Sequence, residues 1–217
     1  MKSFELEVLA KKVVKPLHRS AVSGRRVKIL SHHLSQLLPR NENLIGLDVG
    51  CGSGELANNI QQLCPQVKMF GLDVSLRSDA IINITTFDGN KLPFEDKSYD
   101  FTMLVDVLHH TDNPTKIMQE CCRVTRKFIL LKDHICESGW DRIRLSFMDW
   151  IGNRAYDVYL PYNYLSKKDW EQLYKASKIQ CETEVSKLNL YPQPFSYIFD
   201  SSLHFVTKLA ISEDLKK

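Results

Sequence analysis

The stretch that most constrains the fold runs from residue 44 to residue 57 and reads LIGLDVGCGSGELA. It begins with an apolar run typical of a buried strand, and it then carries glycine at positions 50, 52 and 54. Glycines at alternate positions permit a sharp turn and let the backbone approach a ligand closely, and a helix that follows offers unpaired N–H groups. Asp48, at the end of the strand, adds an acceptor for amino or hydroxyl groups. The stretch therefore predicts a strand, a ligand-binding turn and a helix.

The spacing of the glycines separates several kinds of nucleotide site. A dinucleotide site prefers G-x-G-x-x-G, whereas here Glu55 stands where the third glycine of that pattern would fall. No Lys-Ser or Lys-Thr pair follows, which excludes a phosphate-binding P-loop. The stretch resembles motif I of the class I S-adenosylmethionine-dependent methyltransferases. The residues that match that motif are Asp48, Gly50, Gly52 and Gly54, and Cys51, between two of the glycines, is a further candidate cofactor-binding residue.

Residues further along the chain extend the resemblance. Asp73 follows a second apolar run, 19 positions after Gly54, and Asp88-Gly89 follows a third. Leu-Pro-Phe at 92–94 and Tyr-Asp at 99–100 then precede a fourth run at 101–105. This succession is similar to the type 11 methyltransferase group from about residue 45 to residue 135. The resemblance implies that motif I holds the amino-acid end of S-adenosylmethionine and Asp73 the ribose. It further implies that Val74, Asp88 and Gly89 surround the adenine, and that Val105 and Asp106 lie near the sulfonium.

The order of strands and helices predicts an α/β fold. Strands alternate with helices, and two last strands are joined by a loop, which indicates a doubly wound, mostly parallel seven-stranded sheet with one antiparallel strand. This is the Rossmann-like methyltransferase fold. We expect an N-terminal helical extension at 1–43, and a methyltransferase domain at 44–217 with a helical and aromatic lid at about 138–165. The crossover between the second and third strands has room for at most one short helical turn.

Four side chains are candidates for a general base, which methyl transfer needs only if the acceptor loses a proton. In this fold ligands bind at the carboxyl ends of the strands. The fifth strand is expected to end at Leu131, so that Lys132, Asp133 and His134 form a polar edge. We predict His134 as the base, with Asp133 orienting its ring, and Asp106 or His110 as alternatives. His109 is interpreted as a core or capping residue.

The methyl acceptor is predicted from the segment expected to cover the site. Residues 156–164 and the helix of Trp150 are aromatic and apolar with few charges, which favours a small organic or lipid-like acceptor over an exposed peptide. Tyr162, Asn163 and Tyr164 are the candidate acceptor-binding residues. No Asn/Asp-Pro-Pro-Tyr motif or RNA-binding module is present, so a nucleic-acid partner is not expected.

Composition bounds the remaining possibilities. The six cysteines form no C-x-x-C pair and no His/Cys cluster with metal spacing, which favours reduced thiols and predicts no metal. No apolar run is long enough to cross a bilayer, and the N-terminus lacks the pattern of a secretory signal, so a cytoplasmic location is expected.

The positive charge is concentrated near the N-terminus. Residues 1–43 hold nine Lys and Arg against three Glu and so carry +6, whereas the whole chain carries +3 and the remainder therefore −3. This arm could meet an anionic substrate, a membrane surface or nucleic acid, or it could be a solvated helix face.

The sequence thus predicts an S-adenosylmethionine-dependent methyltransferase acting on a small organic or lipid-like acceptor. One alternative is a Rossmann-type NAD(P)-dependent oxidoreductase using the same acid at 73. Glu55 and the lack of a Tyr-x-x-x-Lys pair disfavour that alternative. A second alternative is a module that binds S-adenosylmethionine without catalysis. The oligomeric state is not predicted.

Overall fold

A computed structural model of the chain describes residues 24–153, 161–193, 195–200 and 203–211. Within these residues, helices alternate with strands around one sheet. The helices are α1 (Gly24–Gln36), α2 (Glu55–Leu63), α3 (Pro114–Val124), α4 (Gly139–Asn153), α5 (Lys167–Ser177) and α6 (Ser196–Phe199), with a 3₁₀ helix at Leu108–His110. The strands are β1 (Leu44–Val49), β2 (Val67–Asp73), β3 (Ile84–Thr86), β4 (Tyr99–Val105), β5 (Thr125–His134), β6 (Ile179–Val185) and β7 (His204–Ile211).

The seven strands lie in the order β3-β2-β1-β4-β5-β7-β6. The first five pair in parallel, whereas β7 is antiparallel to both of its neighbours, β5 and β6. This architecture confirms the predicted doubly wound sheet with one reversed strand. The strand order reverses between β1 and β4, and a ligand crevice in such a sheet lies outside the carboxyl ends of those strands.

Helices cover both faces of the sheet because the central strands are apolar on both sides. On one face, Met118 and Cys121 of α3 pack with Trp170 of α5 in a buried cluster. On the other face, Leu30 and Leu34 of α1 join a second buried cluster that contains residues of α2, β1, β4 and β5. The α1 helix therefore belongs to the core of the domain, although it precedes the sheet in the chain.

Two helices begin where their capping residues predict. The side chain of Asn113 accepts a hydrogen bond from the Lys116 N–H at 3.0 Å, and Pro114 occupies the first turn of α3. Ser166 and Asp169 form a capping box at the start of α5, in which each side chain bonds to the backbone N–H of the other. Both helix starts are confirmed.

The third strand is shorter than the apolar run at 81–87 suggests, because only Ile84–Thr86 pair with β2. Residues 74–83, all of them described, contain no helix, as expected for this crossover.

The fifth strand is longer than predicted, and the expectation that it ends at Leu131 is wrong. It continues through Lys132, Asp133 and His134, which pair with Val206, Phe205 and His204 of β7. All three of these polar side chains are buried. The strand can continue because β7 satisfies its backbone, while Lys132 pairs with Asp106 and the His134 ring contacts the Asp133 carboxylate.

Among the described residues, no helix has both the length and the apolar character required to cross a membrane.

Candidate active site

The glycine turn lies between β1 and α2, at the point where the strand order reverses. Gly50, Gly52 and Gly54 all have positive φ angles, of 74°, 60° and 80°. A Cβ atom added to Gly50 would lie 2.5 Å from Val107, and one added to Gly54 would lie 2.3 Å from Ile82, so both glycines are packed against apolar side chains. The three atoms nearest to a Cβ at Gly52 all belong to the guanidinium of Arg77, the closest at 3.3 Å. Gly52 therefore faces the end of a long side chain and not the apolar side chains that its two neighbouring glycines meet.

Two acids stand beside this turn. Asp48 is buried, and burial raises its pKa well above the ordinary value, with a further contribution from the charge of Asp73. The Asp73 carboxylate accepts hydrogen bonds from the Gly52 N–H at 2.8 Å and from the Ser75 N–H at 3.2 Å. Asp73 thus holds the conformation of the turn in addition to lying where the resemblance expects a ribose.

The residues expected around the adenine lie on the β2–β3 side of the turn. Val74 is 64% exposed, and a Cβ at Gly89 would lie 3.4 Å from its side chain. Asp88 accepts hydrogen bonds from the N–H groups of Asn90 and Lys91, at 2.8 and 3.0 Å, and these bonds lower its pKa. The structure thus brings Val74 and Gly89 together, while the Asp88 carboxylate closes a local turn.

Beyond the carboxyl ends of β4 and β5, titratable side chains form a largely buried group that we call the histidine-acid cluster. Its members are Asp106, His109, His110, Lys132, Asp133, His134, Asp149, Tyr164 and His204. The four predicted catalytic residues all belong to it.

Asp106 follows β4 with a φ angle of 57° and forms ion pairs with Arg26 of α1 and Lys132 of β5. Burial alone would raise the pKa of Asp106, but the two cations hold it well below the ordinary value. Asp106 therefore remains a carboxylate at neutral pH and is a weak proton acceptor.

Lys132 has no exposed surface, and its ammonium lies 3.3 Å from Nδ1 of His204. Nε2 of His204 lies 2.8 Å from the carbonyl oxygen of Phe199, so Nε2 carries the hydrogen and Nδ1 accepts from Lys132. Burial lowers the pKa of both Lys132 and His204.

Asp133 lies at the centre of the cluster. It accepts from Nδ1 of His109 at 2.6 Å and from the backbone N–H groups of His134 and Leu108 at 2.8 and 3.2 Å. Burial would lower the pKa of His109, but the Asp133 charge raises it above the ordinary value. Nδ1 of His134 lies 3.2 Å from Asp133, and burial, with the nearby Lys132 charge, lowers the pKa of His134. The Asp133 carboxylate thus lies closer to the His109 ring, at 2.6 Å, than to the His134 ring that it was predicted to orient, at 3.2 Å.

The predicted acceptor-binding residues reach the same place. Tyr164 is buried, donates its hydroxyl hydrogen to Asp149 at 2.5 Å, and stacks on the His109 ring with 5.6 Å between ring centroids. The Asn163 N–H bonds to the His109 carbonyl at 3.2 Å, which fastens this segment to the 3₁₀ helix. The Tyr162 carbonyl accepts from Arg142. Tyr156 and Tyr159 lie outside the described residues.

Sequence reasoning missed several members of the site. Arg26 could have been found from the basic run at 25–28, but its contact with Asp106 depends on how α1 docks. Asp149 and His204 gave no signal, because each is a single polar residue within an apolar segment. His109 was expected to be a core or capping residue, and it is buried at the centre of the polar network.

The fold and the glycine turn define a doubly wound α/β domain with a ligand crevice at its switch point. Comparison with known proteins gives a match over part of the chain: residues 47–128, less than half of the chain, match the family model described as a methyltransferase domain. Over these residues the resemblance to the class I S-adenosylmethionine-dependent methyltransferases of the type 11 group is confirmed.

Individual relatives are distant. The chain is 29% identical to sterol 4-C-methyltransferase strm-1 of Caenorhabditis elegans over 132 residues, which cover 54% of this chain and 39% of that protein. It is 28% identical to a tRNA (carboxymethyluridine(34)-5-O)-methyltransferase of Schizosaccharomyces pombe over 89 residues, covering 39% of this chain and 37% of that protein. The match therefore spans about two fifths of the length of each of these relatives.

A solved structure shows the same fold over most of the chain. It is a complex between the Haloferax volcanii Trm112 methyltransferase activator and a methyltransferase, with a TM-score of 0.69 at 14% identity. The similarity covers 90% of this chain and 94% of that one. These comparisons give no support to the oxidoreductase alternative.

Proposed function

We propose that this chain transfers a methyl group from S-adenosylmethionine to a small organic or lipid-like acceptor. The observation that carries the proposal is the glycine turn at the switch point, with positive φ angles at Gly50, Gly52 and Gly54, within the residues that match a methyltransferase domain.

The residues present fit the amino-acid end of S-adenosylmethionine. Gly52 leaves room for a close approach, and Asp48 offers carboxylate oxygens beneath the turn. Asp73 and the exposed Val74 would meet the ribose and the adenine. When bound, S-adenosylmethionine supplies a methyl group on an already activated sulfonium. The protein then has to align the acceptor with that methyl group and exclude water.

The histidine-acid cluster fits the acceptor side of such a reaction. Asp106 is fixed by Arg26 and Lys132 and keeps its charge, so its role would be positioning and electrostatic. His134 would take a proton from an acceptor that must lose one, with Nε2 3.6 Å from the Asp106 carboxylate.

An apolar groove supports the nature of the acceptor. It encloses about 340 Å³ between α4 and α6 and is lined by Trp140, Ile143, Arg144, Phe147, Tyr197, Ile198 and Phe199. The carbonyl of Phe199 bonds to His204 of the histidine-acid cluster, so the groove lies next to the polar site. Trp140, Ile143 and Phe147 are each at least half exposed. Several large apolar side chains exposed side by side are typical of a binding surface. The groove would hold the apolar part of the acceptor.

An RNA acceptor is the competing possibility, because one relative is named as a tRNA methyltransferase and residues 1–43 carry a charge of +6. In the proposed function the protein is cytoplasmic and acts on no nucleic acid.

The experiment has two stages. Calorimetric titration with S-adenosylmethionine and, separately, NAD should give binding of the first only. The protein is then incubated with methyl-labelled S-adenosylmethionine and three fractions of a cell extract: organic-phase lipids, small polar metabolites and total RNA. Label in a lipid or small-molecule product supports the proposal, whereas label confined to RNA contradicts the acceptor. Tight binding with no label in any fraction would instead indicate the non-catalytic module.

A further inference from the structure

A second group of ligand atoms lies on the far side of His109, where it faces α4. One ring nitrogen each of His109 and His110 and a carboxylate oxygen of Asp149 all lie within 4.8 Å of one another. His109 is 2% exposed and the Asp149 side chain 10%. Of the three residues, only His110 is among the catalytic candidates, and none is among the predicted cofactor-binding residues.

The hydrogen positions on His109 make the arrangement unusual. Nδ1 of His109 lies 2.6 Å from the Asp133 carboxylate, so Nδ1 carries a hydrogen and donates it. In a neutral imidazole, Nε2 then has only a lone pair. Nε2 is buried without a hydrogen-bond partner among the described residues, and it lies 3.4 Å from Asp149 Oδ2.

Asp149 cannot supply the missing hydrogen. Its Oδ2 already accepts the hydroxyl hydrogen of Tyr164 at 2.5 Å. When His109 is neutral, two acceptors, the Nε2 lone pair and the Asp149 carboxylate, face each other in a buried site, and this is unfavourable unless a second ring proton or a cation lies between them. Nδ1 of His110 is a second buried ring nitrogen without a hydrogen-bond partner among the described residues.

We propose that His109, His110 and Asp149 form a binding site for a divalent transition-metal ion such as Zn²⁺. Two imidazoles and one carboxylate are the ligand types such ions prefer, and three protein ligands is the number found in zinc sites that keep a position open.

The surroundings of these three residues match those of known metal sites. A metal-binding histidine usually donates its other ring N–H to a carboxylate, and Asp133 accepts that bond from His109. The Tyr164 hydroxyl fixes the Asp149 carboxylate in the same way. Ligand atoms at 2.0–2.1 Å from a tetrahedral ion are about 3.3 Å apart, so His109 and Asp149 are already at a suitable distance, and a ring nitrogen of His110 lies within 4.8 Å of both.

A neighbouring group, Asp106, His109, Asp133 and His134, also brings ligand atoms within 4.8 Å. It is the less favourable site, because Asp106 is already paired with Arg26 and Lys132, and Asp133 is occupied by three N–H donors. The two groups make different predictions for substitution.

The test is zinc binding by the full chain and needs no acceptor. Protein stripped with a chelator is titrated with Zn²⁺ against a chromophoric competitor, and its metal content is measured after gel filtration. We expect one equivalent of zinc. His110→Ala and Asp149→Asn should each weaken binding by at least about 100-fold, and Asp133→Asn by about 10- to 100-fold. His32→Ala, at an exposed position on α1, is the matched control and should bind like the parent.

Circular dichroism and thermal melting establish that each variant is folded. Asp149→Asn keeps an acceptor for Tyr164, and Co²⁺ absorption bands in the parent protein give a second measure of imidazole ligation that requires no variant. The proposal is overturned if the parent binds no stoichiometric zinc. That result is expected if His109 carries a hydrogen on both ring nitrogens and bridges Asp133 and Asp149. Zinc binding that is lost in Asp106→Asn but kept in His110→Ala would overturn it equally, in favour of the neighbouring group.

Discussion

Gly52 is the position in the glycine turn where a side chain would obstruct a ligand most while disturbing the protein core least. Its φ angle is 60°, and the three atoms nearest to its missing Cβ belong to the end of Arg77. We expect Gly52→Val to reduce S-adenosylmethionine affinity below detection in calorimetry. The branched residue in the left-handed region should cost about 1–3 kcal/mol of stability, which shows as a lower melting temperature without loss of the fold.

The matched control for this substitution is Gly139→Ala. Gly139 begins α4, and an added Cβ there would have no neighbour within 4 Å. The control should keep the parent's affinity. If Gly52→Val also bound S-adenosylmethionine normally, the cofactor site would lie elsewhere.

His134 is the residue on which the proposed proton transfer depends. A general base contributes about 10²- to 10⁴-fold to rate, so His134→Ala should lower turnover within that range once an acceptor is known. The affinity for S-adenosylmethionine should stay within about threefold, because His134 contacts Asp133 and not the glycine turn. Turnover within a few-fold of the parent would exclude His134 as the base, or show that the acceptor needs none.

At the scale of elements, Asp106 joins three of them, since it follows β4 and pairs with Arg26 of α1 and Lys132 of β5. The pKa of Asp106 in the folded protein is below its unfolded value, so the stability it contributes is present at neutral pH and is lost as pH falls. The free energy of unfolding of the parent should therefore decrease below about pH 4 more steeply than that of Asp106→Asn. Urea unfolding at a series of pH values measures both slopes, and parallel curves would contradict the assignment.

The same elements show what the sequence could and could not predict. The strand–helix alternation, the reversed last strand and the caps at Asn113 and Ser166 follow from local patterns, and the structure confirms them. The predicted end of β5 was wrong because a lysine such as Lys132 normally indicates an exposed position. Lys132 can be buried because it pairs with Asp106 and His204. Such pairing joins residues 26 to 72 positions apart, which no local pattern encodes.

The proposed metal site, which the sequence did not predict, illustrates the same limit. Spacing rules detect ligands that are close in sequence, as in C-x-x-C or H-x-x-x-H. The adjacent pair His109-His110 has no such spacing, and Asp149 lies 40 positions from His109, on a different helix. Their proximity appears only in the folded chain, where Asp149 of α4 lies 3.4 Å from the ring of His109 in the 3₁₀ helix. By contrast, Asp48 and the glycines could be predicted because one continuous stretch forms that part of the site.

At the scale of the whole molecule, α1 determines how much of the N-terminal region is part of the domain. Leu30, Leu34 and Leu38 are almost completely buried under the sheet, and Arg26 reaches the site. Removing one such leucine side chain costs about 2–5 kcal/mol, so losing all three would consume most of a typical stability of about 5–15 kcal/mol. A chain lacking residues 1–38 should not fold.

A chain lacking only residues 1–16 retains α1 and tests the first part of the basic arm, here residues 1–16, separately from that helix. These residues lie outside the described part of the chain and carry Lys2, Lys11, Lys12 and Lys15. The truncated chain should keep its melting temperature and its affinity for S-adenosylmethionine, because Leu30, Leu34 and the glycine turn are untouched. We expect turnover of the acceptor to fall by more than about fivefold, because loss of four lysines lowers the positive potential that would attract an anionic group on the acceptor. Calorimetry and a turnover assay on one preparation give both quantities, and a variant with Lys11 and Lys12 changed to Gln separates charge from length. Undiminished turnover in the truncated chain would reduce the arm to a solvated segment and leave Arg26 as the one N-terminal cation assigned to the site.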